Sequence, residues 1–252
     1  MVPSSVFSCE ELSSLELFGC IINLPSMFNG FCNLKSLLLD RVVLADEALE
    51  SMICNCTVLE RLELIEIDGC TYFNICGPNL QYLYLRDQFV DICFVDVPKL
   101  SCVSIILVIG ICDEIVGPDI CNMTEVLGCL PRLEKLYVEG YSLEAYTEVQ
   151  ILSQWPEDYW EARDCLSCSM NQLHVVKIAG IFGARPELEF IKLLLANSPV
   201  LEIVSVTPKW GQNVEELKML KELVRFRCAS TNAEIEYKPS RGLTSSRFEL
   251  YH

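Results

Sequence analysis

The stretch Thr57–Asp68, TVLERLELIEID, constrains this chain more than any other. Leu59, Leu62 and Leu64 stand at the spacing L-x-x-L-x-L. The alternation of Leu62 and Leu64 predicts one apolar face of a short strand. The preceding Ala45–Cys56 has the 3.6-residue periodicity of an amphipathic helix, so the unit is a helix followed by a strand. A unit of this size cannot bury its own apolar face, whereas stacked copies bury a continuous core.

Copies are present. Leu12, Leu15 and Leu17 lead, followed by Leu34, Leu37 and Leu39, then Leu59, Leu62 and Leu64, then Leu80, Leu83 and Leu85, then Leu100, Val103 and Ile105. These starts are separated by 22, 25, 21 and 20 residues. Leu133-Leu136-Val138, Leu173-Val176-Ile178 and Leu201-Val204-Val206 follow at wider intervals, which makes eight copies. With Cys20 and Ile22 the first copy completes L-x-x-L-x-L-x-x-C-x-L, the leucine-rich-repeat pattern. Elsewhere Val42, Ile67 and Val108 take the Asn/Cys position, so the repeats are irregular and lack a polar ladder. The expected fold is an α/β leucine-rich-repeat solenoid, a curved horseshoe with a parallel sheet on its concave side and helices and loops outside.

Three helices are expected between the strands. Asp46 is placed to cap Glu47–Asn55, with Ala48, Leu49, Met52 and Ile53 inward. Asp119 is placed to cap a second helix, stopped by Pro131. Pro186 and Pro199 bracket a third, with Leu188, Ile191, Leu194 and Leu195 inward. A further helix over Asn213–Lys221 and a last strand over Leu223–Ala229 close the pattern. The apolar run Val103–Cys112 reads as a buried strand and its exit, too short to span a bilayer. The organisation expected is a repeat region at 1–145, an irregular insertion at 146–164 around Trp155, Pro156 and Trp160, a continuing region at 165–237, and a polar tail at 238–252.

Charge restricts the partners. The net charge is −16, and residues 1–130 hold 5 Lys and Arg against 18 Asp and Glu. Such a surface repels phosphate backbones and anionic membranes, so neither nucleic acid nor membrane is an expected partner. The 15 cysteines mostly sit inside apolar patterns, where a thiol behaves as a small core residue. With no basic n-region and apolar h-region at the start, reduced thiols in the cytosol or nucleus are expected.

Residues 165–206, CLSCSMNQLHVVKIAGIFGARPELEFIKLLLANSPVLEIVSV, resemble the FBD segment of plant F-box/FBD/leucine-rich-repeat proteins. The resemblance rests on Trp160 before Cys165-Leu166, then Gly180-x-x-Gly183, the helix segment Leu188-Glu189-Phe190, and Leu194 to Glu202. Arg225–Ser230 with Ala233-Glu234-Ile235 is similar to that family's ending, and Gly128–Gly140 to its middle repeats. The resemblance implies a protein-binding module, the target-recognising part of an F-box-type (SCF) ubiquitin ligase receptor. Family members open with an F-box that docks on a Skp-type adaptor, and its Leu-Pro and Leu-Ser…Trp elements have no match here. Adaptor docking is therefore expected only of a longer form that supplies an F-box. A stand-alone interaction protein or competitor, and a small-molecule sensor using the concave face, are the alternatives.

Catalytic chemistry finds little footing. His174 and His252 are the only histidines. His174 adjoins an expected strand and reads as a surface residue. Cys165-x-x-Cys168 has no second pair at zinc spacing, and Gly180-x-x-Gly183 lacks the lysine of a phosphate loop. No enzyme, metal or cofactor is expected. What remains is a surface, built from strand residues that alternate with the leucines. Its candidate partner-binding residues are Arg61, Glu63, Tyr82, Tyr84, Arg86, Lys135, Tyr137 and Glu139, because tyrosine and arginine dominate interface hot spots. Tyr82, Tyr84, Arg86 and Tyr137 are expected to cluster on neighbouring strands.

Overall fold

In a computed structural model, residues 1–89, 91–109, 127–142, 170–181, 183, 185–209 and 219–238 are described. Their main feature is a nine-stranded sheet. In chain order the strands are β1 (Ser14–Phe18), β2 (Ser36–Asp40), β3 (Arg61–Ile65), β4 (Tyr72–Cys76), β5 (Tyr82–Asp87), β6 (Asp91–Val95), β7 (Cys102–Ile109), β8 (Lys135–Ser142), β9 (Val175–Ile181), β10 (Ile203–Pro208) and β11 (Glu234–Tyr237). The large sheet runs β1-β2-β3-β5-β7-β8-β9-β10-β11, and β4 and β6 form a separate pair. Every pairing is parallel.

All eight L-x-x-L-x-L copies lie in this sheet, in sequence order and without offset. Leu15, Leu37, Leu62, Leu83, Val103, Leu136, Val176 and Val204 form one continuous row across it. The register follows from the side-chain period of two: slipping any strand by one residue would turn its leucines outward. From Leu37 to Val103 this row is wholly inaccessible to solvent. Each such side chain contributes about 1.5–3 kcal/mol by leaving water.

The turn after each early strand is equally regular. Gly19, Arg41 and Glu66 adopt left-handed backbone conformations with φ of 53°, 53° and 52°. The bend lets each amide donate to the strand ahead, Gly19 to Asp40, Arg41 to Ile65 and Glu66 to Arg86. At the Asn/Cys position Val42 and Ile67 are buried and Cys20 is partly buried, an apolar column in place of an asparagine ladder. One polar rung nevertheless exists. Asp87, at the end of β5, is buried, and its carboxylate accepts the amides of Ile67 at 2.6 Å and Gln88 at 2.7 Å.

The outer layer mixes the expected first helix with two strands. α1 (Asp46–Cys54) occupies the return between β2 and β3, but β4 and β6 fill the next two returns. Repeat length explains the change. The nine residues of α1 rise about 14 Å and the five of β4 about 17 Å, so a strand covers the same return with fewer residues. The 25-residue repeat holds the helix, while the 21- and 20-residue repeats hold strands.

α1 and β4 are fastened by three links. Asp46 does not cap the helix: Ala45 holds the cap position, and Asp46 is the first helical residue. Its Oδ1 accepts the amides of Thr71 and Tyr72 at 3.0 and 3.3 Å. Glu50 accepts from Asn74 Nδ2 at 3.2 Å, and Cys54 is joined to Cys76 in a disulfide. Four helical residues advance about 6 Å and two strand residues about 6.6 Å, so positions 46, 50 and 54 track successive alternate positions on β4. This pair departs from the expectation that the thiols are reduced; Cys9, Cys20, Cys32, Cys56, Cys70, Cys93, Cys102 and Cys228 form no disulfide.

α2 (Arg185–Asn197) starts with Pro186 in its first turn, ends before Pro199, and buries Phe190, Ile191, Leu194 and Leu195. The expected strand at Leu223–Ala229 is absent. Leu223 ends a helical segment, Val224 and Arg225 bond back to Leu220 and Glu222, and the Ala229 amide donates to Leu195. Ser230 Oγ then donates to the Leu201 carbonyl at 2.6 Å and turns the chain into β11. The expected helices beginning at Asp119 and Asn213 fall mostly outside the described residues, as do the insertion at 146–164 and Cys165-x-x-Cys168.

Candidate protein-binding face

One face of the large sheet covers the core, and the other is open. Strand alternation places all eight candidate residues on the open face, Arg61 and Glu63 on β3, Tyr82, Tyr84 and Arg86 on β5, and Lys135, Tyr137 and Glu139 on β8. Lys135 is exposed, and the other seven are half-buried. β5 and β8 are not neighbours, however. β7 separates them, so the rows read Tyr82-Cys102-Lys135, Tyr84-Ser104-Tyr137 and Arg86-Ile106-Glu139. Backbones two strand spacings apart stand about 10 Å from each other. The expected single cluster is thus two ridges flanking a low strand. The ridges shelter that strand: Ser104 and Ile106 face outward yet are 5% and 6% exposed.

Within the first ridge, Arg61 Nε pairs with Glu63 at 2.8 Å, and its guanidinium lies 3.9 Å from the centre of the Tyr82 ring. That contact is a cation–π stack. Arg86 pairs with Glu66 at 3.1 Å. Burial pushes the Tyr82 hydroxyl pKa up, with the Glu63 charge adding to it, and burial raises that of Tyr137. Glu139 is raised by burial and partly held down by Arg86. Burial pushes the Cys102 thiol up to about 11. That thiol stays neutral at physiological pH and is a poor nucleophile. The tyrosines remain hydroxyl donors. Such a face has the means to recognise another surface, and Arg61 and Tyr82 are already held in place by each other.

Beyond β8 the face carries groups that the candidate set omits. A depression of about 140 Å³ is lined by Ser104, Ile106, Tyr137, Glu139, Lys177, Ala179, Ser205, Thr207 and Lys238, among others. Lys177 lies 5.0 Å from the centre of the Tyr137 ring. Lys238 was expected in the polar tail, but its amide donates to Val206 and extends the register of β11. The alternation of Glu234-Ile235-Glu236-Tyr237 is the signal that could have placed it. His174, read as a surface residue, sits just before β9 with Nδ1 3.2 Å from Glu202.

Comparison with known proteins bears on what such a face serves. The family model for the leucine-rich repeats of the FBD-associated F-box protein At5g56370 matches residues 1–116, and the FBD model matches residues 163–206. The chain is 32% identical over 290 aligned positions to the F-box/FBD/LRR-repeat protein At1g13570 of Arabidopsis thaliana, covering 93% of this chain and 69% of that protein. The chain belongs to the F-box/FBD/LRR-repeat family. A second Arabidopsis member, the putative F-box/FBD/LRR-repeat protein At5g22670, is 23% identical over 93% of this chain and 71% of its own length. No solved structure matches the chain. Within the family's architecture, β1 to β7 fall in the repeat region, and β9, α2 and most of β10 fall in the FBD match. The FBD segment therefore supplies strands of the same sheet as the repeats. Membership supports a protein-interaction module.

Proposed function

We propose that this F-box/FBD/LRR-repeat chain is the target-recognising part of an F-box-type (SCF) ubiquitin ligase receptor, acting in the cytoplasm or nucleus of a plant cell. The repeats would curve as a horseshoe with the open face concave, so that both ridges meet one partner. The observation that carries the reading is the pair of ridges: three half-buried tyrosines and two arginines paired with Glu63 and Glu66, flanking the low strand β7. Tyrosine and arginine of this kind are what hot spots use.

The mechanism is positional. The face holds a target, and an F-box supplied by a longer form brings the adaptor and ligase. The depression of about 140 Å³ is smaller than the roughly 300–1,000 Å³ of ligand pockets, so this depression suits a side chain of a macromolecular partner better than a free metabolite. Affinity capture from plant extract on the immobilised chain, with identification by mass spectrometry, tests the reading. A specific set of proteins is expected to be retained, and a purified Skp-type adaptor is not. Retention of the adaptor by this chain alone would overturn the assignment of docking to a separate F-box.

A further inference from the structure

The chain carries a net charge of −16, yet three of its lysines converge at one place on the open face. Lys177 on β9 feels the charges of Lys135 on β8 and Lys238 at the end of β11, and the register puts Lys135 and Lys177 diagonally across adjacent strands. Lys238 pairs with Glu236 at 3.2 Å. Among the described residues no ion pair engages Lys135 or Lys177. The Lys177 ammonium leans on the Tyr137 ring, which orients it without neutralising it. Its pKa is lowered first by burial, with Lys238 and Lys135 contributing and Glu236 opposing.

The floor beside it is small and polar. Ser104 and Ser205 are buried on the open face, and Ala179 and Thr207 complete it. Glu139 closes the far side; it stands diagonally across adjacent strands from Lys177 and also feels the charge of Arg86, two strands away. The depression has room for a side chain and not for a folded element.

We propose that this depression receives an acidic side chain, aspartate or glutamate, of a peptide segment in the protein partner, with its carboxylate on Lys177 and with Lys135 and Lys238 flanking it. The proposal rests on the protein-binding reading and deepens it by naming the chemistry of the bound segment. Tyr137 and the serine and threonine hydroxyls offer the remaining hydrogen bonds around the side chain. Against the acidic net charge of the chain, the lysines favour an acidic segment at this place on the face.

The test is selection of a random displayed peptide library on the purified full chain, followed by affinity measurement for the selected peptides. Selected peptides are expected to be enriched in Asp and Glu over the input library. Their affinity is expected to fall about tenfold or more in Lys177→Glu, as befits loss of a charge-assisted contact. Raised salt is also expected to weaken them. Selection on the Lys135→Glu/Lys177→Glu double variant is expected to enrich Lys and Arg instead. Both residues project from the open face, and a thermal melt shows that the variants fold. Peptides without acidic enrichment that lose binding in Tyr84→Ala/Arg86→Ala would overturn the acidic pocket while leaving the protein-binding face intact. Acidic peptides that bind Lys177→Glu undiminished would also overturn it. Selection of no peptide at all would count against both.

Discussion

The carboxylate of Asp87 accepts the Ile67 amide at 2.6 Å across two successive repeats. Neither the L-x-x-L-x-L spacing nor the Asn/Cys position points to this contact, because Asp87 sits one residue beyond the strand positions that repeat. Burial raises its pKa from 3.8 to about 6, the amides of Ile67 and Gln88 hold it down, and the charges of Glu66 and Asp68 push it up. The folded state then binds a proton more tightly than the unfolded chain. Between about pH 4 and 6 the folded protein holds more protons, so this group's contribution to stability falls as pH rises through that window. A displacement from 3.8 to about 6 corresponds to about 3 kcal/mol. In Asp87→Asn that part of the slope should vanish. Denaturant unfolding of both proteins at pH 4.5 and 7 measures it, and parallel pH profiles would reject the assignment.

Asp46 fastens α1 to β4 through the amides of Thr71 and Tyr72. Asp46→Ala should cost about 1 kcal/mol, the net worth of such a bond, and leave α1 itself intact because the residue is not the cap. Hydrogen exchange should quicken at Thr71 and Tyr72 and not in β3. Faster exchange throughout α1 instead would show that the residue acts as a cap after all.

Much of the large sheet was legible in the sequence because it depends on a local rule. All eight strands with the leucine spacing lie where the alternation puts them, and their open-face residues follow from the period of two. The outer layer was less legible. Tyr72–Cys76 and Asp91–Val95 are short apolar runs in returns for which the sequence pattern named no element, and the short repeats there hold strands. The site was legible as positions on a face, but not in its spacing, since β7 intervenes between the tyrosine-bearing strands. Lys177 and Lys238 escaped the candidate set because their meeting depends on β9 and β11 flanking β10, which no local pattern announces.

Leu62 and Glu63 are consecutive residues on opposite faces of β3. Leu62 is wholly buried, and Leu62→Ala should destabilise by about 2–5 kcal/mol through lost burial and the cavity left behind. Glu63→Ala removes only a half-exposed partner of Arg61 and should stay within about 1 kcal/mol. Urea midpoints at a constant m-value test the contrast, and equal losses would mean that the faces are assigned wrongly.

Gly180, the first glycine of the Gly-x-x-Gly pair, lies inside β9 with φ of +72°. A Cβ there would run into the carbonyl oxygen of Gly140 on β8, whereas one on Gly140 would stand 3.7 Å from the Gly180 oxygen, an ordinary contact. Gly180→Ala should therefore cost about 1–3 kcal/mol, and Gly140→Ala about 0.5 kcal/mol or less. Thermal melts of the two variants decide it. Equal tolerance would show that β9 can flatten at this point.

Tyr84 and Arg86 form the middle and end of the first ridge, and both turn away from the core. Replacing both with alanine removes aromatic area and a guanidinium that the sheet already positions, while the leucine rows beneath stay untouched. Hot-spot truncations cost about 2 kcal/mol or more each and do not simply add, so the double variant should bind captured partner proteins between about thirtyfold and a thousandfold more weakly. Its melting temperature should shift little, since the Arg86–Glu66 pair is exposed and contributes about 0–1 kcal/mol. Binding by surface plasmon resonance and a melt on the same preparation separate the two effects. A folded double variant with undiminished affinity would move the binding site off the ridges between β3 and β8.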